Sequence, residues 1–435
     1  MQVRFYLKYG EIMMKYTNAN EYDVVIAGAG PAGIAAALEA ARSGAKTALI
    51  ERYGCVGGAL TLGFIGPLLG SVCEGTIGEE IEEAICPVKG VCPDFEVAKT
   101  ALTRLLDEAG VELFLQTLVT GVIKEGSVIK AVKINGNYGE SGIRGKVFID
   151  ATGDGNLSAL AGCQWKIGRE SDGLVQPVTI MFTIEGIDPG QSLLCLHEEH
   201  HTVLADGREY LDICHKACRS GELPPNVNIV RLYSTGYPGE RMVNATQENR
   251  IDPLDPEAVS RAEKELRKQV DQIVSFLRKN IPGFENIRIR GSASTLGIRE
   301  SRRITGRSEL NEKDMIEGKT YPDTVVHDAF FCFDVHNPAG PGQAEGEEKV
   351  PSSPKRYDIP FSAMCPLGSD NLLTAGRCIS GTHTAHSSYR VMRICMAMGQ
   401  AAGAAAIYMA QSGVGSADLD VNIVREHLIK RGVKL

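Results

Sequence analysis

Hydrophobic positions along the chain form short continuous runs in some places and helical repeats in others. The short runs are mainly apolar and often β-branched, which is typical of buried strands in a parallel sheet. They cover residues 23–27, 46–50, 146–150 and 371–375. Because helical segments separate several of these runs, the pattern predicts an α/β fold with helices packed on a sheet.

Apolar residues that recur every three or four positions predict amphipathic helices. The clearest spans residues 256–280, carries charged residues on its other face and ends at Pro282-Gly283. Other helices are predicted at residues 34–43, 78–84, 95–110 and 390–411. The last contains many glycine and alanine residues, which indicates close approach to another helix or to a ligand.

Alternating segments separated by glycine turns predict a small β-meander that returns to the parallel sheet. These segments are residues 111–115, 119–124, 128–135 and 142–145. Further extended segments are predicted at residues 178–184, 229–233, 242–245, 288–294 and 296–299. Residues 59–92, outside their acidic helix, and residues 338–354 are predicted to be loops because glycine and proline interrupt them.

The first predicted strand runs directly into a glycine-rich turn at residues 28–33 and then into a helix. This order is the βαβ dinucleotide fingerprint, in which each glycine has a physical role. Gly28 permits the tight turn, Gly30 lets a pyrophosphate approach the backbone, and Gly33 lets helix and strand pack closely. The helix N-terminus presents free N–H groups to the phosphates. Glu51, which ends the second strand, is placed to bind ribose hydroxyls.

The residues that follow Glu51 favour FAD over NAD, and a later segment is a second, independent signal of a dinucleotide site. Arg52 and the pair Gly57-Gly58 follow the acidic residue, so more backbone can lie along a longer ligand. The strand at 146–150 ends in the ATGDG segment, residues 151–155. Its small residues stand at the carboxyl edge of the sheet, where open α/β sheets bind nucleotides.

Later motifs resemble those of FAD-dependent oxidoreductases in the glutathione-reductase-type flavoprotein superfamily. The motifs are LGIRESRRI at 296–304, DVH at 334–336, AGRCIS at 375–380, HTAHSSYRVM at 383–392 and CMAMGQAAG at 395–403. The resemblance implies FAD as cofactor. It also implies that the helix at 390–411 directs its N-terminus, with Met392 and Arg393, at the pyrimidine edge of the flavin. Negative charge on reduced flavin would be stabilised there.

The expected architecture is a Rossmann-like FAD-binding domain with a parallel sheet and a small β-meander, plus an inserted α+β substrate domain. The predicted divisions are an N-terminal arm at 1–20, the FAD-binding domain at 21–164 and 355–435, and the substrate domain at 165–354. The predicted cofactor-binding residues are Gly28, Gly30, Pro31, Ala32, Gly33, Glu51, Arg52, Gly57, Gly58, Val119, Ala151, Thr152, Gly153, Gly376, Arg377, Met392 and Arg393.

Five polar residues are candidates for the chemistry. His383, His386 and His336 carry side chains that can move a proton near neutral pH. Arg390 and Arg299 can bind a carboxylate bidentately. The neighbouring basic residues of the 299–303 segment are also expected to include one that forms a structural ion pair with Glu300 or Asp334.

Composition excludes several partners. The 435-residue chain has a formal net charge of -8, so no basic surface is expected to bind nucleic acid or an anionic membrane. No apolar run approaches the ~18 residues that span a bilayer, and residues 1–20 lack the apolar core of an export signal. We therefore expect a cytoplasmic protein. Its twelve cysteines include no CxxC, so free thiols are expected and no metal site.

Three functional interpretations stay open. The first is a flavin dehydrogenase or reductase that acts on a small polar molecule and uses an unidentified electron donor or acceptor. The second is a flavin oxidase or monooxygenase that uses O2. The third is an FAD-bound subunit for electron relay or assembly, which the lack of an iron–sulfur cysteine run disfavours. A homo-oligomeric state is compatible with each of these three interpretations.

Overall fold

The computed structural model describes residues 6–9, 12–15, 21–86, 88, 90–196, 201–342 and 353–435. Its strands are β1 Tyr6–Tyr9, β2 Ile12–Lys15, β3 Tyr22–Ala27, β4 Thr47–Ile50, β5 Glu112–Phe114, β6 Leu118–Glu125, β7 Val128–Gly136, β8 Gly139–Asp150, β9 Trp165–Lys166, β10 Phe182–Glu185, β11 Arg231–Ser234, β12 Glu240–Asn244, β13 Arg288–Ser292, β14 Arg303–Ile304, β15 Thr324–Ala329, β16 Tyr357–Pro360 and β17 Leu372–Thr374.

The helices are α1 Pro31–Arg42, α2 Ile77–Ile85, α3 Phe95–Glu108, α4 Asn156–Leu160, α5 Tyr210–Ser220, α6 Pro256–Asn280, α7 Glu312–Glu317, α8 His383–Tyr389, α9 Met392–Ser412 and α10 Val421–Lys430, with a 3-10 helix at Phe361–Met364. No single described helix is long and apolar enough to span a membrane. Only α8 and α9 together pass such a test, and they are bent by 91°.

A mixed sheet of seven strands forms the centre of the fold, which is α/β as predicted. Strands β5, β4, β3 and β8 are neighbours in that order, and β17 also pairs with β8; all of these pairings are parallel. Strands β6 and β7 extend the sheet as antiparallel neighbours of β8. The carboxyl ends of β3, β4, β8 and β17 therefore meet at one edge of the sheet.

Two predicted boundaries within this sheet are wrong. The segments expected at 142–145 and 146–150 are one strand, β8, which starts in the meander and ends in the parallel part of the sheet. The segment expected at 111–115 as part of the meander is β5, a parallel edge strand beside β4. Sequence order placed it with the meander, whereas its hydrogen bonds place it at the opposite edge of the sheet.

Helices α1 and α9 pack against each other at very short distance, and both lie in the main hydrophobic core. A Cβ atom on Gly399 would lie 2.0 Å from the carbonyl oxygen of Ala32, and one on Gly403 would lie 2.5 Å from that of Ala36. The small residues predicted to permit close approach thus do so between two helices. This contact brings the N-terminal ends of α1 and α9 to the same region.

We expect the substitution Gly399→Ala to lower the free energy of unfolding. The added methyl group must push the backbone of α1 away, at about 1–3 kcal/mol, which outweighs the ~0.5–1 kcal/mol that alanine contributes to helix stability. Urea unfolding of both proteins measures the difference. Gly236→Ala is the matched control, because its Cβ would meet nothing within 4 Å; equal stability of Gly399→Ala and wild type would contradict the packing.

A second hydrophobic core lies in the middle of the chain. Strands β11, β12, β10 and β13 form an antiparallel sheet in that order, and α5 and α6 contribute buried residues to its core. Helix α6 has the predicted bounds. The strand predicted at 178–184 is regular only as β10, with isolated bridges at Val178 and Thr179 before it. The predicted loop at 338–354 lies partly outside the described residues.

Candidate functional site

A cavity of about 640 Å³ lies at the carboxyl edge of the central sheet. Residues at the ends of β3, β4, β8 and β17 line it, namely Ala27, Ile50, Ala151 and Ala375. Residues 295–299 and Asp334 also line it, from segments that follow the second sheet. Open α/β sheets bind their ligands at this edge, so the cavity is the candidate site.

The turn before α1 has the geometry that the glycine motif predicts. Gly28 adopts a φ of +96°, and a Cβ there would lie 2.6 Å from the carbonyl oxygen of Ala151. A Cβ on Gly33 would lie 1.9 Å from the carbonyl oxygen of Gly28. Gly30 differs, because a Cβ on it would meet nothing within 4 Å and would enter the cavity. Gly30 also caps α1 without any side-chain hydrogen bond to the first N–H groups.

The acidic residue after β4 lines the cavity and supports its wall. The Glu51 carboxylate accepts hydrogen bonds from the backbone N–H groups of Ala29, at 2.8 Å, and Tyr53, at 3.0 Å. Burial raises the pKa of Glu51, while these hydrogen bonds oppose the increase. Arg52 lies over the Tyr53 ring, 4.7 Å from its centroid. Binding of ribose by Glu51 stays a prediction.

Gly57 and Gly58, the second glycine pair, have different roles. Gly58 lines the cavity and approaches Gly30 so closely that a Cβ on it would lie 2.9 Å from the Gly30 Cα. Gly57 lies outside the large cavity, and its N–H donates to the carbonyl of Ala29 at 2.7 Å. This pair therefore fastens the loop after β4 to the α1 turn.

The ATGDG segment is joined to the AGRCIS segment by a charged contact. Arg377 donates to the Asp154 carboxylate at 2.9 Å, and Ser301 donates to the same oxygen at 2.7 Å. Burial alone would raise the pKa of Asp154, but the Arg377 guanidinium and these hydrogen bonds hold it below its usual value. Arg302 donates to the Asp154 carbonyl at 3.1 Å. Sequence reasoning did not name Asp154 as a site residue, although it stands inside the motif, and it considered Arg302 only as one of several basic residues of the 299–303 segment.

The N-terminus of α9 faces the cavity, as the family resemblance implied. Val391, Met392 and Cys395 line it. Arg393, by contrast, lies outside the lining and pairs with Glu82 at 2.8 and 2.5 Å. Consecutive residues of a helix point in directions about 100° apart, and here Met392 points to the cavity while the Arg393 side chain turns to Glu82.

A cluster of charged side chains lines the cavity next to this helix end. Arg390 donates to the carbonyl and carboxylate oxygens of Asp334, both at 2.9 Å. Arg299 donates to the carbonyl of Pro177 at 2.7 Å. Burial would raise the pKa of Asp334, but His336, Arg390 and Arg299 together hold it far below its usual value. Asp334 is therefore a carboxylate at neutral pH.

The three candidate histidines do not line the cavity. His336 lies 3.5 Å from Asp334, and burial together with Arg299 lowers its pKa to about 4. His383 lies 2.9 Å from Glu300. Burial and the Arg303 charge lower the pKa of the fully enclosed His386, whose Nδ1 has no hydrogen-bond partner among the described residues. Proton transfer by any of the three stays a prediction.

Glu300 forms the structural ion pair expected in the basic segment. Its carboxylate is fully buried and accepts a short hydrogen bond from Arg303, which also donates to the carbonyls of Gly168 and Gly381 at 2.8 and 2.9 Å. Arg303 thereby ties three distant segments together. Glu300 is the next residue after Arg299 in the chain. The buried pair therefore also holds the segment from which Arg299 lines the cavity.

The structure brings most of the predicted site residues into one lining. These are Gly28, Gly30, Pro31, Ala32, Glu51, Arg52, Gly58, Val119, Ala151, Thr152, Gly153, Gly376, Arg377, Met392, Arg299 and Arg390. Six others lie outside it, namely Gly33, Gly57, Arg393, His336, His383 and His386. Within the described residues, no group of three or more His, Cys, Asp or Glu side chains is arranged to hold a metal ion.

The lining residues fit FAD. Gly30 leaves room beside a helix N-terminus that has no side-chain cap, as a pyrophosphate requires. Arg377 Nη1 and Arg302 Nε are buried and have no hydrogen-bond partner among the described residues, although both side chains line the cavity. Buried donors of this kind are normally satisfied, and the phosphate and hydroxyl oxygens of a dinucleotide can satisfy them.

Two curated proteins match parts of the chain. The chain is 32% identical over 151 residues to thiamine thiazole synthase from Aeropyrum pernix, a match that covers 30% of the chain and 54% of the relative. It is 41% identical over 75 residues to a tRNA uridine 5-carboxymethylaminomethyl modification enzyme from Campylobacter hominis, covering 17% and 11%. The chain thus spans about half the length of the first relative and a tenth of the second.

A solved structure and a family model extend the comparison to nearly the whole chain. The structure of a geranylgeranyl bacteriochlorophyll reductase-like protein from Thermoplasma acidophilum is 14% identical, with a TM-score of 0.50, and covers 95% of this chain and 84% of that one. This likeness shows the fold. A model of the FAD-dependent oxidoreductase family matches residues 23–428. The chain is therefore a member of the FAD-dependent oxidoreductase family.

Proposed function

We propose that this FAD-dependent enzyme transfers a hydride between FAD and a small polar organic substrate, as a dehydrogenase or reductase. One observation carries the proposal: a single cavity is lined both by the dinucleotide-binding turns and by the charged cluster of Arg299, Asp334 and Arg390. A site that only stored or relayed electrons would not need a charged cluster in the cavity wall beside the cofactor.

Different residues of the cavity lining bind different parts of FAD and the substrate. The backbone of the Gly28–Pro31 turn and the N-terminus of α1 bind the pyrophosphate, and Glu51 binds the ribose. The N-terminus of α9, at Met392, stabilises negative charge at the flavin. When bound, FAD supplies the hydride chemistry. Arg299 and Arg390 orient the substrate, and Asp334 holds Arg390 in position.

We further assign the chain to the glutathione-reductase-type flavoproteins, on the combined motifs at 28–33, 151–155 and 375–380. No second GxGxxG occurs in the sequence, so these residues include no built-in NAD(P)H-binding domain of the disulfide-reductase kind. Within the family, this separates the proposal from enzymes that carry a second dinucleotide domain for a nicotinamide.

Anaerobic reduction of the FAD-loaded protein tests the proposal. Small alcohols, hydroxy acids, amines and amino acids are added singly, and loss of the flavin's visible absorbance reports hydride transfer. At least one compound should bleach the protein-bound flavin while free FAD under the same conditions keeps its colour. In the reductase direction, NADH or NADPH should bleach it instead. If none of these compounds bleaches the bound flavin, the proposal is wrong.

Admission of air after bleaching separates the alternatives. A dehydrogenase or reductase should stay reduced until an artificial acceptor is added. Recovery of colour within seconds, with formation of hydrogen peroxide, would instead identify an oxidase, and recovery with an oxygenated product would identify a monooxygenase.

A further inference from the structure

Arg299 is a cation of the cavity lining that has no acidic partner at contact distance among the described residues. Its Nη1 donates to a neutral carbonyl, that of Pro177, at 2.7 Å. In the part of the chain that the structure describes, no carboxylate oxygen lies within 4.0 Å of its guanidinium. Burial and the neighbouring Arg390 lower the pKa of Arg299 to about 9. Positive charge is therefore in excess at this point of the wall.

The neighbouring residue Arg390 has an unsatisfied hydrogen-bond donor. Its Nη2 is held by Asp334, but its Nε is buried and has no hydrogen-bond partner among the described residues. Arg299, Arg390 and Asp334 together carry one net positive charge. Arg231 acts in the same direction, because its charge also lowers the pKa of Arg299. His336 adds no charge at neutral pH, since its pKa is about 4.

A carboxylate is the anion that matches this cluster. It carries one negative charge and offers two oxygens to a planar guanidinium. A phosphate group carries about −1.5 to −2 charges at pH 7, so the Asp334 carboxylate would repel it more strongly than it repels a singly charged carboxylate. The nearby wall is apolar, and its residues include Ile65, Pro67, Leu69, Leu296 and Ile298. A Cβ on Gly297 would lie 3.5 Å from Ile65, so these segments adjoin each other.

We infer that Arg299 binds the carboxylate of a small organic acid, with Arg390 as the second donor and an apolar wall around the rest of the molecule. The inference rests on the proposed function and names the class of its substrate. Asp334 is then a positioning residue, because it holds Arg390 and limits the site to a single negative charge.

Binding to the oxidised, FAD-loaded protein tests the inference without turnover. The probes are acetate, propanoate, phenylacetate and benzoate, each compared with its neutral amide, and inorganic phosphate. Perturbation of the flavin spectrum and the shift in the thermal unfolding midpoint report binding. At least one acid should bind tenfold or more tightly than its amide. The substitution Arg299→Met should weaken the binding of that acid at least tenfold. Arg288→Met, at an exposed pair with Glu185, is the matched control and should bind like wild type.

Several results would overturn the inference. They are equal binding of acids and amides to the wild-type protein, binding of phosphate alone, or unchanged acid binding by folded Arg299→Met. The comparison of acids with amides needs no variant, so a failure of Arg299→Met to fold leaves the test intact. Bleaching by a neutral substrate without any acid binding would reject this inference and keep the proposed function. If an acid binds but no compound reduces the flavin, this inference is kept and the proposed function is rejected.

Discussion

Gly30→Val should fold normally and purify without flavin. The valine side chain projects into the cavity, where a Cβ meets no protein atom within 4 Å, so the fold should not be strained. It occupies the space through which a pyrophosphate reaches the N–H groups of α1. Losing two hydrogen bonds to a charged group, at about 1.5–3 kcal/mol each, should weaken FAD binding by about 100-fold or more.

The measurement is the ratio of flavin to protein after purification, followed by titration of the stripped protein with FAD. Gly236→Val is the matched control, because Gly236 also has open space around its Cβ position but lies in the exposed turn between β11 and β12. The control should retain FAD. A yellow Gly30→Val protein with wild-type affinity would show that the dinucleotide does not lie against the α1 turn.

Glu300→Gln should be the most destabilising single change among those considered. Glu300 and Arg303 are both buried, and the substitution leaves the Arg303 charge without its carboxylate. Breaking a buried pair by removing one partner costs about 3–5 kcal/mol. His383, 2.8 Å from the same carboxylate group, also loses this negatively charged neighbour. Urea unfolding at neutral pH, with FAD at saturation, measures the loss.

Two further variants show whether the loss comes from the stranded charge. Glu309→Gln removes the partner of Lys166 in a pair whose side chains are 38% and 50% exposed, and exposed pairs contribute about 0–1 kcal/mol. Adding Arg303→Met to Glu300→Gln removes the buried charge and should restore part of the stability. A Glu300→Gln protein as stable as the Glu309→Gln control would show that this pair does not support the segment.

The sequence predicted the elements whose determinants are local. Strand β3, the glycine turn, α1 and β4 follow one another directly, so their order alone indicates the dinucleotide site. Helix α6 was predicted with its observed bounds because its apolar residues recur every three or four positions and Pro282-Gly283 follows it. In both regions, the residues that decide the structure are neighbours in the chain.

Predictions failed where a distant segment decides the structure. Gly145 was interpreted as a break between two strands, yet β8 runs through it. A Cβ there would lie 2.5 Å from a methyl group of Val25 on β3, so the glycine accommodates a neighbouring strand. The role of Arg393 depends on Glu82, more than three hundred positions away, and no local pattern contains that information.

Residues 383–390, just before α9, show that sequence-based prediction can also fail for residues that are close together in the chain. His383, His386 and Arg390 lie close together in the sequence, and all three were predicted to take part in the chemistry. The chain instead forms the short helix α8 and bends by 91° before α9 begins. His386 is enclosed against the Tyr389 ring, with centroids 5.4 Å apart, whereas Arg390 reaches the cavity.

The pairing of β17 with β8 has a consequence for biosynthesis. The ribosome must synthesise half of the chain between these two adjacent strands, and α9 emerges later still. Pairing over such a sequence separation delays folding. An emerging polypeptide can therefore display its glycine-rich turn long before the opposite wall of the binding cleft exists. Stable capture of the yellow cofactor should consequently wait until α9 has left the ribosome.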